Sequence, residues 1–223
     1  MAKKDSPESN ATLVIGLGRF GSAVAATLNR LGREILALEK DPVVISKWQG
    51  RLPLIEADAS NIEALEQVGV REFQTAVVGV GTSLESSVLI TANLVDVGLP
   101  SIWAKATSRE HGRILKRIGA HHVVYPEFDA GQRTAHLVSG RMLDYIEMDR
   151  KGFSIVKMIP PQECYGFTLA ELDIRARFGV VVLGVMTPGH PFEYATSATR
   201  IDKGDIIIVS GDTDLLEKFA QRP

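Results

Sequence analysis

Thr12-Leu-Val-Ile-Gly-Leu-Gly-Arg-Phe-Gly21 is the stretch around which the chain is organised. Leu13 to Ile15 is a short apolar run that reads as a buried strand. It leads into Gly16-x-Gly18-x-x-Gly21, and a helix-compatible run follows from Ser22 to about Leu31. Each glycine has a physical task. Gly16 permits a sharp turn, Gly18 permits close approach of the backbone to a pyrophosphate, and Gly21 permits close packing of helix on strand. The helix start then presents free N–H groups and a positive dipole end to phosphate.

The next strand tests this reading. Glu34-Ile-Leu-Ala-Leu-Glu39 is apolar and ends in an acid that follows Gly21 by 18 residues. A carboxylate at that point accepts both ribose hydroxyls and repels a 2′-phosphate, which favours NAD or an adenosine nucleotide over NADP. The plainer alternative is a strand that ends in a solvated acid. Strand, glycines, helix and acid together favour nucleotide binding.

A chain of 223 residues accommodates one large domain, or a domain and a small partner. Its 25 basic and 27 acidic residues nearly cancel, so no polyanion-binding footprint exists at whole-chain level, and nucleic acid is not an expected partner. Cys164 is the single cysteine, which excludes an intramolecular disulfide framework and fits a reducing compartment. Met1 to Asn10 is polar, lacks the apolar segment of a secretory signal and is expected to form a disordered tail. No apolar run reaches the roughly 18 residues of a membrane span.

Further along, Asp41 is placed to cap a helix with Pro42 in its first turn. Strands are expected at Leu52 to Glu56, Thr75 to Val80, Ile102 to Ala104 and His121 to Tyr125. Helices are expected at Ile62 to Val68 (capped by Ser60 or Asn61), Leu84 to Val97 and Arg109 to Ile118. Six strands alternating with helices specify an α/β fold. The leading topology is a Rossmann-type doubly wound parallel sheet of order 3-2-1-4-5-6. Ligand then sits outside the carboxyl ends of the strands, which carry Gly16, Glu39, Asp58, Gly81 and Lys105. Read singly, Lys105 is a strand-end lysine, Asp58 a capping residue and Glu127 a helix-start acid; their joint placement beside one glycine loop gives them weight.

Phe128 to about Tyr145 reads as one more helix, with Leu137, Val138, Met142, Leu143 and Ile146 on an apolar face. That face either packs on its own sheet or crosses to a second subunit. From Asp149 onward strands outnumber helices: Phe153 to Ile159, Val180 to Met186 and Ile206 to Val209, with helices at Leu169 to Arg177 and Asp212 to Ala220. The expected division is a tail over 1–10, a Rossmann domain over 11–148 that includes a crossover, dimerisation helix at about 127–146, and a small α+β domain over 149–223.

A dehydrogenase needs an acid or base poised against its substrate. His111, His121, His122, His136 and His190 fall in no recognisable catalytic motif, and His111 and His136 show no carboxylate partner in the sequence. No Tyr-x-x-x-Lys, nucleophile elbow or metal-spaced His/Cys cluster occurs. A small NAD(H)-dependent oxidoreductase is therefore the alternative reading, and a sensor in which nucleotide biases a two-state assembly is the leading one. An NADH-binding repressor is a third, without an evident basic recognition helix.

Gly16-Leu-Gly-Arg-Phe-Gly21, Ala57-Asp-Ala-Ser60, Gly81-Thr-Ser-Leu-Glu-Ser-Ser87, Trp103-Ala-Lys105, Lys116-Arg-Ile-Gly-Ala120 and Tyr125-Pro-Glu127 occur in that order. Together they resemble the cytosolic regulator-of-conductance-of-potassium (RCK) domain, in particular the stand-alone Ktr/Trk-type potassium-uptake regulatory subunit. The resemblance spans about Leu13 to Phe219. Its C-terminal part rests on Leu169-Ala-Glu-Leu-Asp173, the Val180 to Val185 strand and Lys203-Gly-Asp-Ile-Ile-Ile-Val209. It implies a non-enzymatic homo-oligomer, dimers built into a usually octameric ring, on the cytoplasmic face of the plasma membrane against a membrane-embedded potassium channel subunit. It implies ATP and ADP, or NADH and NAD, at the glycine loop. Gly16, Gly18, Phe20 and Gly21 then lie at the ligand, Arg19 at terminal phosphates, Glu39 and Lys40 at the ribose end, Asp58 and Ala59 near adenine, and Gly81 and Lys105 beside it. Glu127 matches an acid that helps hold Mg²⁺ or Ca²⁺ beside the nucleotide. Arg175 and Arg177 match a region that binds cyclic di-AMP in some members, against the plainer reading of cations at a helix C-terminus. Gly79 departs from a common alanine, Phe128 and Ala130 from a basic residue and a methionine, and Val181 from a frequently polar position.

Overall fold

The computed structural model describes residues 11–81, 83–138, 140–149 and 151–223. The tail expected over 1–10 lies outside them. The chain forms two compact units, one ending at Glu127 and one beginning at Phe128.

In the first unit, β1 (Thr12–Ile15), α1 (Arg19–Arg30), β2 (Ile35–Glu39), α2 (Pro42–Trp48), β3 (Leu54–Glu56), α3 (Ile62–Gln67), β4 (Thr75–Val78), α4 (Leu84–Asp96), β5 (Ser101–Lys105), α5 (Arg109–Ile118) and β6 (His122–Val124) alternate. The strands form one sheet in the order β3-β2-β1-β4-β5-β6, with every pair parallel. This is the expected Rossmann-type order. All four residues of β1 are buried, because the sheet is covered on both faces. Leu13 and Ile15 join a core with Ala76, Val78, Leu94, Ile102 and Leu115, while Val14 joins another with Ala25, Ile35 and Ala37. Of the two candidate caps for α3, Asn61 does the capping, accepting from Glu63 N–H.

The second unit begins in α6 (Pro126–Val138) and continues with β7 (Met142–Glu147), β8 (Phe153–Met158), β9 (Phe167–Thr168), α7 (Leu169–Leu172), α8 (Ile174–Phe178), β10 (Val181–Met186), β11 (Glu193–Tyr194), β12 (Arg200–Ile201), β13 (Ile206–Asp212) and α9 (Thr213–Ala220). Five strands form an antiparallel sheet of order β11-β10-β13-β8-β7, and β12 pairs with β9. Met142, Val156, Met158, Val185, Ile207, Val209, Leu216 and Phe219 make its core.

Two expectations are corrected here. The helix read through Tyr145 stops at Val138, and Met142 onward is strand β7, paired with β8 through Tyr145↔Val156 and Ile146↔Ile155. Gly140, at φ 158°, separates the two. The apolar residues at 137, 138, 142, 143 and 146 mimic a helical face, but pairing with β8 outweighs the local pattern. The compact units meet at Glu127/Phe128 in the chain. The single helix read over Leu169 to Arg177 is two, broken at Asp173, whose φ of 44° is left-handed. Aspartate tolerates that conformation better than most side chains.

Candidate functional site

A parallel sheet sends the ends of all its strands to one edge, so residues distant in sequence meet there. The turn after β1 is built on close glycine contacts. Gly16 has φ 85°, a conformation that disfavours any Cβ, and a Cβ at Gly21 would lie 1.9 Å from the Gly16 carbonyl oxygen. Gly79, just past β4, closes the same contact: its Cβ would lie 3.0 Å from that oxygen and 3.1 Å from Gly21 Cα. The departure from alanine at Gly79 thus belongs to this packing, and only its pairing with Gly21 in space reveals it. Gly18 is different. A Cβ there meets nothing within 4 Å, so the space beside it is open to a ligand. Gly18 is also the N-cap of α1 and supplies no side-chain cap, which leaves the first N–H groups of the helix turned outward. Arg19 is exposed and Phe20 half-buried at that same end.

Glu39 is tied to this loop. Leu17 N–H donates to its Oε2 at 2.7 Å, and the N–H groups of Lys40 and Asp41 donate to Oε1 at 2.8 and 3.0 Å. Among the described residues Oε2 accepts from Leu17 N–H alone, and its second lone pair can receive a hydroxyl. The carboxylate that was read as a ribose acceptor is therefore already oriented by backbone. Lys40 Nζ reaches Asp58 Oδ2 at 3.1 Å, and Asp58 Oδ1 accepts from the Ser60 hydroxyl at 2.6 Å and from Ser60 N–H at 3.0 Å. The Ser60 hydroxyl holds the Asp58 carboxyl below its ordinary value. Ser60, offered by the sequence as a candidate helix cap, is instead the residue that orients Asp58. Ala59 does not face the site with its side chain: it is buried in the core with Leu38 and Leu65.

On the other side of the glycine loop stand Gly81, Lys105 and Glu127. Lys105 Nζ donates to Glu127 Oε1 at 2.7 Å. The Lys105 side chain is 12% exposed and that of Glu127 60%. A Cβ at Gly81 would lie 3.3 Å from Lys105 Nζ, so the glycine gives the ammonium its room. The Lys105 bond lowers the Glu127 pKa, with a smaller contribution from Arg19. Among the described residues, no three His, Cys, Asp or Glu side chains are grouped to hold a metal ion.

The histidines divide differently from expectation. His136 does have a carboxylate partner, Glu217 of α9, 2.6 Å from Nδ1, and its ring stacks on Tyr145. The 81-residue separation hid this pair. His111 is buried, accepts from Thr107 N–H at Nδ1, and has its pKa lowered by burial. Cys164 is fully buried and its thiol is pushed up to about 11 by desolvation, which makes it inert.

Arg175 and Arg177 part company. Arg175 lines a cavity of about 440 Å³ with Leu169, Asp173, Val181 and Thr196. Arg177 instead donates to the Leu172 carbonyl at 3.1 Å and lies over the Phe178 ring.

The family profile described as TrkA-N domain matches residues 12–126, and that described as TrkA-C domain matches residues 154–222. The chain belongs to the TrkA-N/TrkA-C family of potassium-uptake proteins. Ktr system potassium uptake protein C of Bacillus subtilis (strain 168) is 31% identical over 211 residues, 94% of this chain and 95% of that protein. Among solved structures, the RCK domain of GsuK superposes with a TM-score of 0.67 at 15% identity, over 99% of this chain and 49% of that one. The GsuK channel bound to NAD superposes over 98% of this chain and 39% of that one, with a TM-score of 0.52 at 21% identity. GsuK bound to ADP superposes over 59% of this chain and 34% of that one, with a TM-score of 0.52 at 22% identity. At these identities the likeness to GsuK is one of fold, and this TrkA-family chain spans less than half the length of those chains. No helix among the described residues is long and apolar enough to cross a membrane.

Proposed function

We propose that this TrkA-family chain is a nucleotide-sensing regulatory subunit that gates a membrane potassium-uptake channel, without catalytic turnover. The observation that carries the reading is the open space at Gly18, flanked by an uncapped helix start, a backbone-oriented Glu39 and the cations Arg19 and Lys105. An adenosine pyrophosphate, as ATP/ADP or NAD(H), meets each of these with the matching chemistry: phosphates on N–H groups and cations, ribose hydroxyls on the carboxylate. Kinship to a Ktr potassium uptake protein supports the potassium role, and the NAD and ADP bound by GsuK support the ligand class.

The finer parts of the proposal rest on the family. The working form is a homo-oligomer, dimers in a ring of eight, on the cytoplasmic face of the plasma membrane against the channel subunit. In the single chain α6 buries none of its residues and leaves Phe128 and Val138 exposed, which supports a role for this helix in subunit contact. Glu127 is a candidate ligand for Mg²⁺ or Ca²⁺ once phosphate oxygens complete the set. The Arg175 cavity is the candidate site for cyclic di-AMP.

A melting panel with ATP, ADP, NADH, NAD and cyclic di-AMP, each with and without Mg²⁺, tests the reading. A ligand at about 100 times its Kd adds roughly 2.7 kcal/mol of stability. Stabilisation by ATP or ADP is the expected result. Steady NADH oxidation with a simple carbonyl substrate would point to an oxidoreductase instead. The absence of a shift with every nucleotide, in protein free of carried-over ligand, removes the proposed site.

A further inference from the structure

Lys105 and Glu127 are unequal partners. The lysine is 12% exposed and the glutamate 60%. A largely buried ammonium needs a counter-charge, whereas an exposed carboxylate is solvated without one. Among the described residues, Glu127 is the hydrogen-bonded partner of Lys105, at 2.7 Å. A Cβ at Gly81 would lie 3.3 Å from Lys105 Nζ, so the missing side chain leaves the ammonium its place at the strand edge. Glu127, by contrast, sits in the first turn of α6, one residue past Pro126. Tyr125, which leads into that turn, is seated against Gly112, where a Cβ would lie 1.9 Å from its hydroxyl oxygen. Lys105 is thus the enclosed member of the pair, and the glutamate at the helix start is the solvated one.

We propose that the Lys105–Glu127 pair is a charge latch that phosphate opens. When the phosphates of a nucleotide settle beside Arg19 at the Gly16–Gly21 loop, the ammonium exchanges its carboxylate for a phosphate oxygen. Glu127 then leaves the ammonium for water or for a divalent cation held beside the phosphates, and the first turn of α6 loses its tie to the end of β5. The exposure asymmetry sets the direction of the exchange, because the buried cation keeps an anion and the exposed anion gives up its cation. Occupancy of the glycine loop is thereby converted into a change at the first turn of α6. This inference rests on the nucleotide reading above and adds to it the device by which binding is reported.

The test is a set of metal-free titrations of the full chain with ATP in EDTA, so that no cation bridges phosphate to carboxylate. It uses wild type, E127Q, K105M and the K105M/E127Q double variant, with K105Q as a second replacement at the buried position. If Glu127 competes with phosphate for Lys105, E127Q binds ATP about fivefold more tightly, the factor a partly buried ion pair is worth. K105M and K105Q bind about tenfold more weakly, the loss of one charge-assisted contact. E127Q then has no further effect in the K105M background. Unchanged or weaker binding by E127Q overturns the latch and leaves the nucleotide site standing. Equal tightening by E127Q with and without Lys105 also overturns it, since Glu127 then acts by direct repulsion of phosphate. A wild-type chain that binds no nucleotide under any condition removes the site itself, and the latch with it.

Discussion

The carboxyl edge of the parallel sheet and the groove beside β10 are both candidate ligand regions, and they are built in opposite ways. At the parallel edge, β1, β2, β4 and β5 deliver Gly16, Glu39, Gly79 and Lys105 to one line because every strand runs the same way. Backbone then does the orienting, as in the three N–H groups on Glu39. In the antiparallel sheet neighbouring strands end at opposite edges, so no comparable convergence occurs. The groove is instead assembled from a broken helix, one strand and a loop, with Arg175 as its cation and Val180 to Val182 as an apolar wall. The first arrangement binds charge through fixed dipoles. The second offers surface, with Arg175 on the cavity wall beside another cation, Arg177, that is engaged in packing.

The largest expected effect lies at the glycine packing. Gly21→Ala places a methyl 1.9 Å from a backbone oxygen that cannot rotate away. We expect a loss of about 3 kcal/mol or more in denaturant unfolding of the first unit. A loss below about 1 kcal/mol would mean that the turn is not fixed by this contact. Gly18→Ala is the counterpart, since nothing lies within 4 Å of the new methyl. Stability should stay within about 0.5 kcal/mol of wild type while nucleotide affinity falls about tenfold, roughly 1.4 kcal/mol. Unimpaired binding by that variant would move the phosphates away from Gly18.

In the groove, Arg177→Ala should cost about 1 kcal/mol through the lost carbonyl bond and ring contact, read as a lower denaturant midpoint. Arg175→Ala should leave the midpoint unchanged and weaken cyclic di-AMP binding, if the groove binds it. The reverse ranking would exchange their roles. The smallest expected effect is at Asp58. Its folded-state pKa lies below the ordinary 3.8, chiefly through the Ser60 hydroxyl. A depressed carboxylate stabilises the fold above its unfolded value, and that contribution is lost as pH falls through the folded value. The carboxylate is mostly exposed, so the contribution is under about 1 kcal/mol. The stability difference between wild type and Asp58→Asn should therefore be largest near pH 6 and shrink toward zero below pH 3.8. A difference that persists in acid would assign the effect to hydrogen bonding alone.

The parallel sheet was readable because its signals are local. A strand, a glycine turn and a helix in sequence place the loop, and the spacing to Glu39 places the acid. The capping of α2 by Asp41 and of α3 by Asn61 follows the same local rules. The segment from Leu137 to Ile146 was misread because its apolar spacing satisfies a helix, while the partner that makes it a strand, β8, comes later in the chain. His136 with Glu217 and Gly79 with Gly21 escaped for a related reason, since nothing in either member's neighbourhood marks the other.

The sequence by itself determined the order of the parallel strands, the glycine turn and the set of polar residues at strand ends. These follow from chain-local periodicity, turn chemistry and the fixed handedness of crossovers. Tertiary structure alone decided that Glu39 is held by three backbone donors, that Ala59 turns into the core, that Arg177 is taken by packing, and that Lys105 closes on Glu127. Each of these depends on which distant groups compete for the same donor, acceptor or space. That competition is resolved only when the chain is folded.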